Sequence, residues 1–311
     1  MQGGDVPSPL CCNGSMREGT PSRTAWRVAL RRAAHQIFDQ PVVFDDPLAL
    51  RILGLTNSSN LDAEGLRAPN RPHSISLRAF LVARSRFAED TLTAAVYEGA
   101  RQYVLLGAGL DTFAYRNPFP QVQVYEVDHP DTQAWKLCLL EDHDISVPQQ
   151  AHHVAVDFHH DDLAERLRST GFDPTQPAVF AWLGVVPYLT DEGFTATLNF
   201  LSSCTPGSVL VFDYGMPRHA LPPLERLALD SMSARVAAAG EPFRLFFMPD
   251  EIHHRLHQSG WELLHDLDRN AINTRYFNGS NLHVLSSGGH LLAAKLGSHS
   301  GNSHLTTTKG L

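Results

Sequence analysis

The stretch YVLLGAGLDTFAYR, residues 103–116, carries the first decisive signal in this chain. An apolar run of strand character ends in Gly107-Ala108-Gly109, and Asp111 and an aromatic-rich turn follow. Two glycines directly after a strand let the backbone approach a nucleotide closely. Taken alone, the motif suits more than one nucleotide cofactor, and a tight strand-to-helix turn would also produce it.

Working outward, short apolar runs alternate with helical stretches from residue 101 onward. Strands are expected at 102–106, 122–127, 153–157, 178–183 and 208–213, with helices over about 131–142, 161–169 and 191–203. This rhythm implies a parallel sheet with right-handed crossovers. A helical insert is expected at about 215–260, turning at AGEPF (239–243). WELLHDL (261–267) and HLLAAKL (290–296) can then close the sheet, the last strand running antiparallel. Ahead of the sheet, SRTAWRVALRRAAHQIF (22–38) has Ser22 or Thr24 as N-cap and apolar residues near helical spacing. In FDDPLALRIL (44–53), Asp46 is placed to cap a helix with Pro47 at its first position. A long helix is expected from about Ser76 to Gly99. The expected fold is a doubly wound α/β sheet in one domain over 21–296, with 21–100 as a helical cover. Residues 1–20, rich in Gly, Pro and Ser, read as disordered, and 297–311 as a flexible tail.

In such a sheet, ligands bind at the carboxyl ends of the strands. Asp128 closes VYEVD, 21 residues after Gly107 (128 − 107), where an acid can hold ribose hydroxyls. Asp157 ends VAVD in the same way and can reach an adenine amino group while Phe158 flanks the ring. NAD prefers a third Gly or Ala in GxGxxG/A, for close packing of the helix beneath its pyrophosphate. Here that position is Thr112, preceded by Asp111, and an acid repels a pyrophosphate. The same acid tolerates the cationic sulfonium and ammonium of S-adenosylmethionine, so the balance falls on that cofactor.

Composition narrows the class. The 311 residues are 43% hydrophobic and 19% charged, as in ordinary globular proteins, and the net charge of −8 supplies no basic excess for nucleic acid. No apolar run is long enough for a membrane span, and the N-terminus lacks a basic start followed by an apolar segment. Four cysteines (11, 12, 138 and 204) without CxxC spacing suit a reduced, cytoplasmic setting. Six of the seventeen histidines fall in adjacent pairs (His152-His153, His159-His160 and His253-His254); His253 and His257 stand four apart but lack the HExxH acid, so no metal site is expected.

Together, QYVLLGAGLDTFAYR, YEVDHPDTQAWK, VAVDF, GFDPTQPAVFAWLGVVPYLT and the N-terminal PSRTAWRVALRRAAHQIFDQPVVFDDPLALRIL resemble the leucine carboxyl methyltransferase family. The likeness is closer to its bacterial branch of class I S-adenosylmethionine-dependent O-methyltransferases, which includes polyketide-tailoring enzymes, and spans about residues 20–296. It implies a Rossmann-like methyltransferase fold and a small-molecule methyl acceptor. Carried over by position, it implies that Arg84, in the helix before the first strand, binds the cofactor carboxylate. It likewise implies that Gly107, Ala108 and Gly109 form the cofactor turn, that Asp128 holds the ribose, and that Asp157 and Phe158 meet the adenine. One departure stands out. A glutamate common after the family's fourth strand is replaced by Leu183, so that polar contact is missing or supplied elsewhere.

Methyl transfer needs a dry cleft and an aligned nucleophile. A carboxylate nucleophile needs no base, whereas a phenol or alcohol does. Phe158, Trp182, Val186 and Tyr188 are placed to line a pocket, Trp182 suiting the core as well, and His129 and His159 are candidate bases, with Tyr188 a further catalytic candidate. Phe243, Phe246, Phe247 and Met248 in the insert pack onto the sheet or meet substrate. An NAD-dependent oxidoreductase is the rival class, opposed by Thr112 and by the lack of a hydride-site His/Asp or Tyr/Lys set. A non-catalytic S-adenosylmethionine-binding protein is the other, kept open by Leu183.

Overall fold

A computed structural model describes residues 22–55, 72–157, 160–238, 240–280 and 282–298. The expectations for residues 1–20, for Phe158 and His159, and for most of the C-terminal tail lie outside the described residues.

The elements, in chain order, are α1 (Arg23–Phe38), α2 (Pro72–Tyr97), β1 (Gln102–Leu106), β2 (Gln123–Asp128), α3 (Pro130–Asp142), β3 (Ala151–Ala155) and α4 (Leu163–Ser169). They continue with β4 (Ala178–Trp182), α5 (Asp191–Ser202), β5 (Val209–Gly215), α6 (Pro223–Ala238), α7 (Pro249–Gln258), β6 (Trp261–Leu267), α8 (Arg269–Tyr276) and β7 (Gly289–Leu296). Seven strands form one sheet in the order β3-β2-β1-β4-β5-β7-β6. The pairs from β3 to β5 are all parallel, and β7 is antiparallel to both β5 and β6. The doubly wound sheet with a reversed last strand is therefore as the sequence implied. Among the described residues no helix is long and apolar enough to cross a membrane.

Each central strand is buried on both faces, which explains why β1 and β4 read as continuous apolar runs. Alternate residues feed two cores. Val104, Leu106, Phe180, Trp182, Leu210 and Phe212 face the layer containing Phe194 and Leu198 of α5 and Ile252 of α7. Tyr103, Leu105, Val179, Ala181, Val209 and Val211 face Ala83, Phe87 and Leu92 of α2. A third cluster joins Trp26, Ala29 and Ala33 of α1 to Trp135 and Leu139 of α3 and to Leu110, just beyond the glycine turn. The helical cover is thus fastened directly above the carboxyl edge of β1 and β2.

Helix starts follow side-chain chemistry. Ser22, His129, Asp162, Thr190 and Asp268 each accept a backbone N–H in the first turn of α1, α3, α4, α5 and α8 respectively. The helix expected after Asp46 is cut down to a turn and a short 3-10 segment, Arg51–Leu53. Asp46 does accept the Leu48 N–H, but its other oxygen is drawn inward to Thr112 Oγ1. Gly54, at φ +66°, stops the segment eight residues after Asp46, too soon for a regular helix.

Trp182 packs in the core rather than in the pocket: it is 1% exposed and stacks on Phe194 with ring centroids 5.3 Å apart. Val186 is likewise fully buried in that cluster. Trp182→Ala is expected to lower unfolding free energy by about 3–5 kcal/mol in denaturant titration, as for other large aromatic truncations.

Candidate active site

The strand β1 sits between β2 and β4, where chain order reverses along the sheet, and its carboxyl end opens into a cavity of about 1470 Å³. Gly107 and Gly109 both take positive φ, +73° and +50°. The amides of Gly107 and Ala108 donate to Val127 O at 2.8 and 3.0 Å, folding the turn back over β2. A Cβ on Gly107 would collide with Val185 Cγ2, and one on Gly109 would lie 3.2 Å from Ala25 of α1. Glycine is therefore required here both by backbone conformation and by space.

Asp128 ties the turn to the next helix. One carboxylate oxygen accepts the Gly109 N–H at 2.6 Å and the other accepts the His129 N–H at 2.7 Å. Burial pushes its pKa upward, against the pull of those two amides. Asp111 also lines the cavity, but Arg32 lies 3.2 Å from it. Burial raises its pKa, yet Arg32, Arg116 and Lys136 outweigh this and hold it below the usual range. Its charge is compensated, so its repulsion of a pyrophosphate is weaker than the sequence implied.

Arg84 enters from α2. Its Nη1 lies 3.0 Å from Asp213 of β5, and the second Asp213 oxygen accepts the Gly184 N–H at 2.6 Å. Gly184 has φ +70°, and a Cβ there would come within 2.6 Å of the Arg84 guanidinium. The Nε of Arg84 is buried and has no hydrogen-bond partner among the described residues. Asp213 was not singled out in the sequence, although an acid inside the apolar run VLVFDYG is a usable signal. Because Trp182 pairs with Phe212, the register sets Asp213 beside Leu183, the position lacking the expected glutamate.

Arg84, Gly107, Ala108, Gly109 and Asp128 all line one cavity, joined by His129, Leu183 and Tyr188. Asp157 does not line it. The third strand ends at Ala155 rather than at 157, since pairing with β2 stops at Asp128, and Asp157 follows in the loop. There its N–H donates to Asp161 and its carboxylate stands 4.0 Å from His160. His129 is exposed and acts as the cap of α3, its Nδ1 accepting the Asp131 N–H. Tyr188 follows β4 and packs against Phe243 at 5.1 Å between ring centroids. Burial, with the charge of Glu241, pushes its hydroxyl up to about 12, so it remains protonated near neutrality. From the insert, Phe243 and Phe246 face the cavity, whereas Phe247 packs in the core and Met248 is exposed. Glu241 accepts hydrogen bonds from Ser22 and Thr24, closing the insert onto α1, a contact with no warning in the sequence.

These features define a doubly wound α/β protein with a cavity at the carboxyl edge of its sheet, lined by the glycine turn after β1 and the acid that ends β2. The family model described as leucine carboxyl methyltransferase matches residues 25–202. A Bacillus subtilis protein, YktD, assigned by inference as an S-adenosyl-L-methionine-dependent methyltransferase, is 33% identical over 285 residues, covering 85% of this chain and 93% of the relative. The chain belongs to the leucine carboxyl methyltransferase family and is an S-adenosylmethionine-dependent methyltransferase. Its fold is shared with a Thermobifida fusca protein (TM-score 0.55, 16% identity, 80% of this chain and 92% of that one). A DUF574-family protein from Streptomyces avermitilis shares it too (TM-score 0.52, 19% identity, 78% and 94%).

Gly184→Ala should place a side chain in a left-handed backbone position and against Arg84. A loss of more than about 1 kcal/mol in thermal or chemical unfolding is expected, together with weaker binding of S-adenosylhomocysteine.

Proposed function

We propose that the protein methylates an oxygen of a small molecule, with a carboxylate as the preferred acceptor. The observation that carries this reading is the state of the polar groups around the cavity. Tyr188 stays protonated, the Nδ1 of His129 is occupied in capping α3, and Glu241 is engaged by two hydroxyls. Among the described residues such a site offers little to take a proton from an alcohol, and a carboxylate requires no such step.

The residues present fit the cofactor. In this reading, the unpartnered Nε of Arg84 receives its carboxylate and Asp213 its ammonium, supplying from β5 the charge that Leu183 lacks. The Gly107–Gly109 turn admits the nucleoside, and Asp128 holds the ribose hydroxyls. When bound, the cofactor supplies an electrophilic methyl group on a sulfonium. Phe243, Phe246 and Leu183 keep the neighbourhood apolar, so that an anionic nucleophile and a cationic donor are poorly solvated and their charges cancel on reaction. Tyr188 can donate a hydrogen bond to an acceptor oxygen and orient it.

Two measurements test this. Asp128→Ala and Asp213→Asn should each weaken S-adenosylhomocysteine binding by about 1.5–3 kcal/mol in calorimetry, the range for hydrogen bonds to charged groups, while NAD gives no heat with the wild type. A labelled-methyl screen of carboxylic acids and phenols should find turnover among the acids. With such an acid, His129→Ala should keep near wild-type turnover; a drop of a hundredfold or more, about 2.7 kcal/mol, would instead establish a base.

A further inference from the structure

Five arginines line the cavity: Arg27, Arg31, Arg32, Arg84 and Arg235. Arg32 is paired with Asp111 and Arg84 with Asp213. The other three have no carboxylate partner among the described residues. Arg31 is half-buried, donates from Nη1 to the backbone oxygen of Arg27, and leaves a buried Nε that has no partner among the described residues. Arg235, on α6 across the cavity, donates only to Ser231 O among the described residues. Burial, and then the like charges of Arg27, Arg235 and Arg78, pull the Arg31 pKa down. Arg78 itself is neutralised by Asp39 at 2.7 Å. The other acids lining the cavity face partners of their own: Glu241 accepts from Ser22 and Thr24, Glu225 from Ser286 and Ser287 with Arg269 3.8 Å away, Asp128 from the Gly109 and His129 amides, and Asp131 lies 3.4 Å from His129.

Three uncompensated cations gathered around one cavity repel one another, and an entering oxyanion relieves that repulsion. The surface beside them is apolar. Leu77 and Leu81 of α2 face the cavity, as do Leu224 and Leu227 of α6, which are 78% and 64% exposed. Arg31 stands about 10 Å along α1 from Thr24, seven residues at 1.5 Å each. Thr24 meets the Glu241 latch beside the Tyr188 and Phe243 region, where the methyl would be transferred. Arg31 is therefore displaced from the transfer point by roughly the length of a small organic acid.

We propose that Arg31, with Arg27 and Arg235, forms an acceptor-binding subsite that takes a carboxylate at the end of the acceptor remote from the methylated oxygen, the apolar body lying along Leu77, Leu81 and Leu227. This rests on the reading of the cavity as a methyl-transfer site, and it sets the substrate class as amphipathic organic acids rather than neutral alcohols.

The test is calorimetric titration of decanoate and of decanamide, each with and without saturating S-adenosylhomocysteine, into the wild type, Arg31→Gln, Arg31→Lys and Arg235→Gln. The wild type should bind decanoate at least about tenfold more tightly than decanamide, as expected for a charged hydrogen-bonded pair. Arg31→Gln should erase that preference, Arg235→Gln should reduce it, and Arg31→Lys should restore part of it, with decanamide and S-adenosylhomocysteine affinities unchanged. Equal affinity of the wild type for acid and amide would overturn the subsite, as would an undiminished preference in Arg31→Gln. So would a selective loss of S-adenosylhomocysteine binding in Arg31→Gln, because Arg31 would then serve the cofactor carboxylate. Failure of the wild type to bind S-adenosylhomocysteine would count against the cofactor reading alone, since the acid–amide comparison without it still decides the subsite.

Discussion

A guanidinium from the helical cover and a carboxylate from the fifth strand meet 3.0 Å apart at the carboxyl edge of the sheet, both buried. Such a pair adds little net stability, because desolvation offsets most of the attraction. Its effect is positional. Removing either partner would leave a buried charge alone, so α2 and β5 are held in one relative placement. Asp213 also takes the Gly184 N–H, which fixes the chain leaving β4, and Gly184 can approach because it has no side chain to strike Arg84. Cover, fourth strand and fifth strand therefore converge on one point, and the cavity is the space left around it.

The opposite half of the site is built by a different device. Asp128 receives two backbone N–H groups, from Gly109 and His129, and so clamps the glycine turn to the start of α3. A carboxylate already satisfied on one side by the backbone presents its remaining lone pairs at a defined angle. One half of the cleft is thus organised by an ion pair between distant elements, the other by a local loop. Between them α1 lies across the turn, with Ala25 against Gly109 and Arg32 on Asp111. Its neighbouring face carries Arg27 and Arg31 into the cavity.

The fold was largely legible because its central strands are buried on both faces, and burial leaves a simple mark: uninterrupted apolar runs separated by helical spacing. A helix start was legible where a side chain caps the backbone, as at Ser22. The failures have physical causes. Asp46 has the form of a helix cap, but its carboxylate is drawn to Thr112, a partner 66 residues away, and Gly54 ends the segment. Trp182 stands at a strand end where it could face a ligand, yet alternation along β4 turns it toward Phe194 and the core. Asp157 follows an apolar run, but that run outlasts its pairing partner, so the acid falls in the loop and outside the cavity lining.

By itself the sequence determined the sheet, its parallel sense, the glycine turn and the acid on the second strand, since each depends on residues within one or two neighbouring elements. It could not determine which charges are compensated. Asp111 and Arg84 look free in the sequence and are paired in the fold, whereas Arg31, one of several arginines on a helix, finds no counter-ion among the described residues. Compensation is a property of distances between segments far apart in the chain, and electrostatic energy depends on those distances and on burial. Only the tertiary structure decided them, and with them the chemistry the cavity can accept.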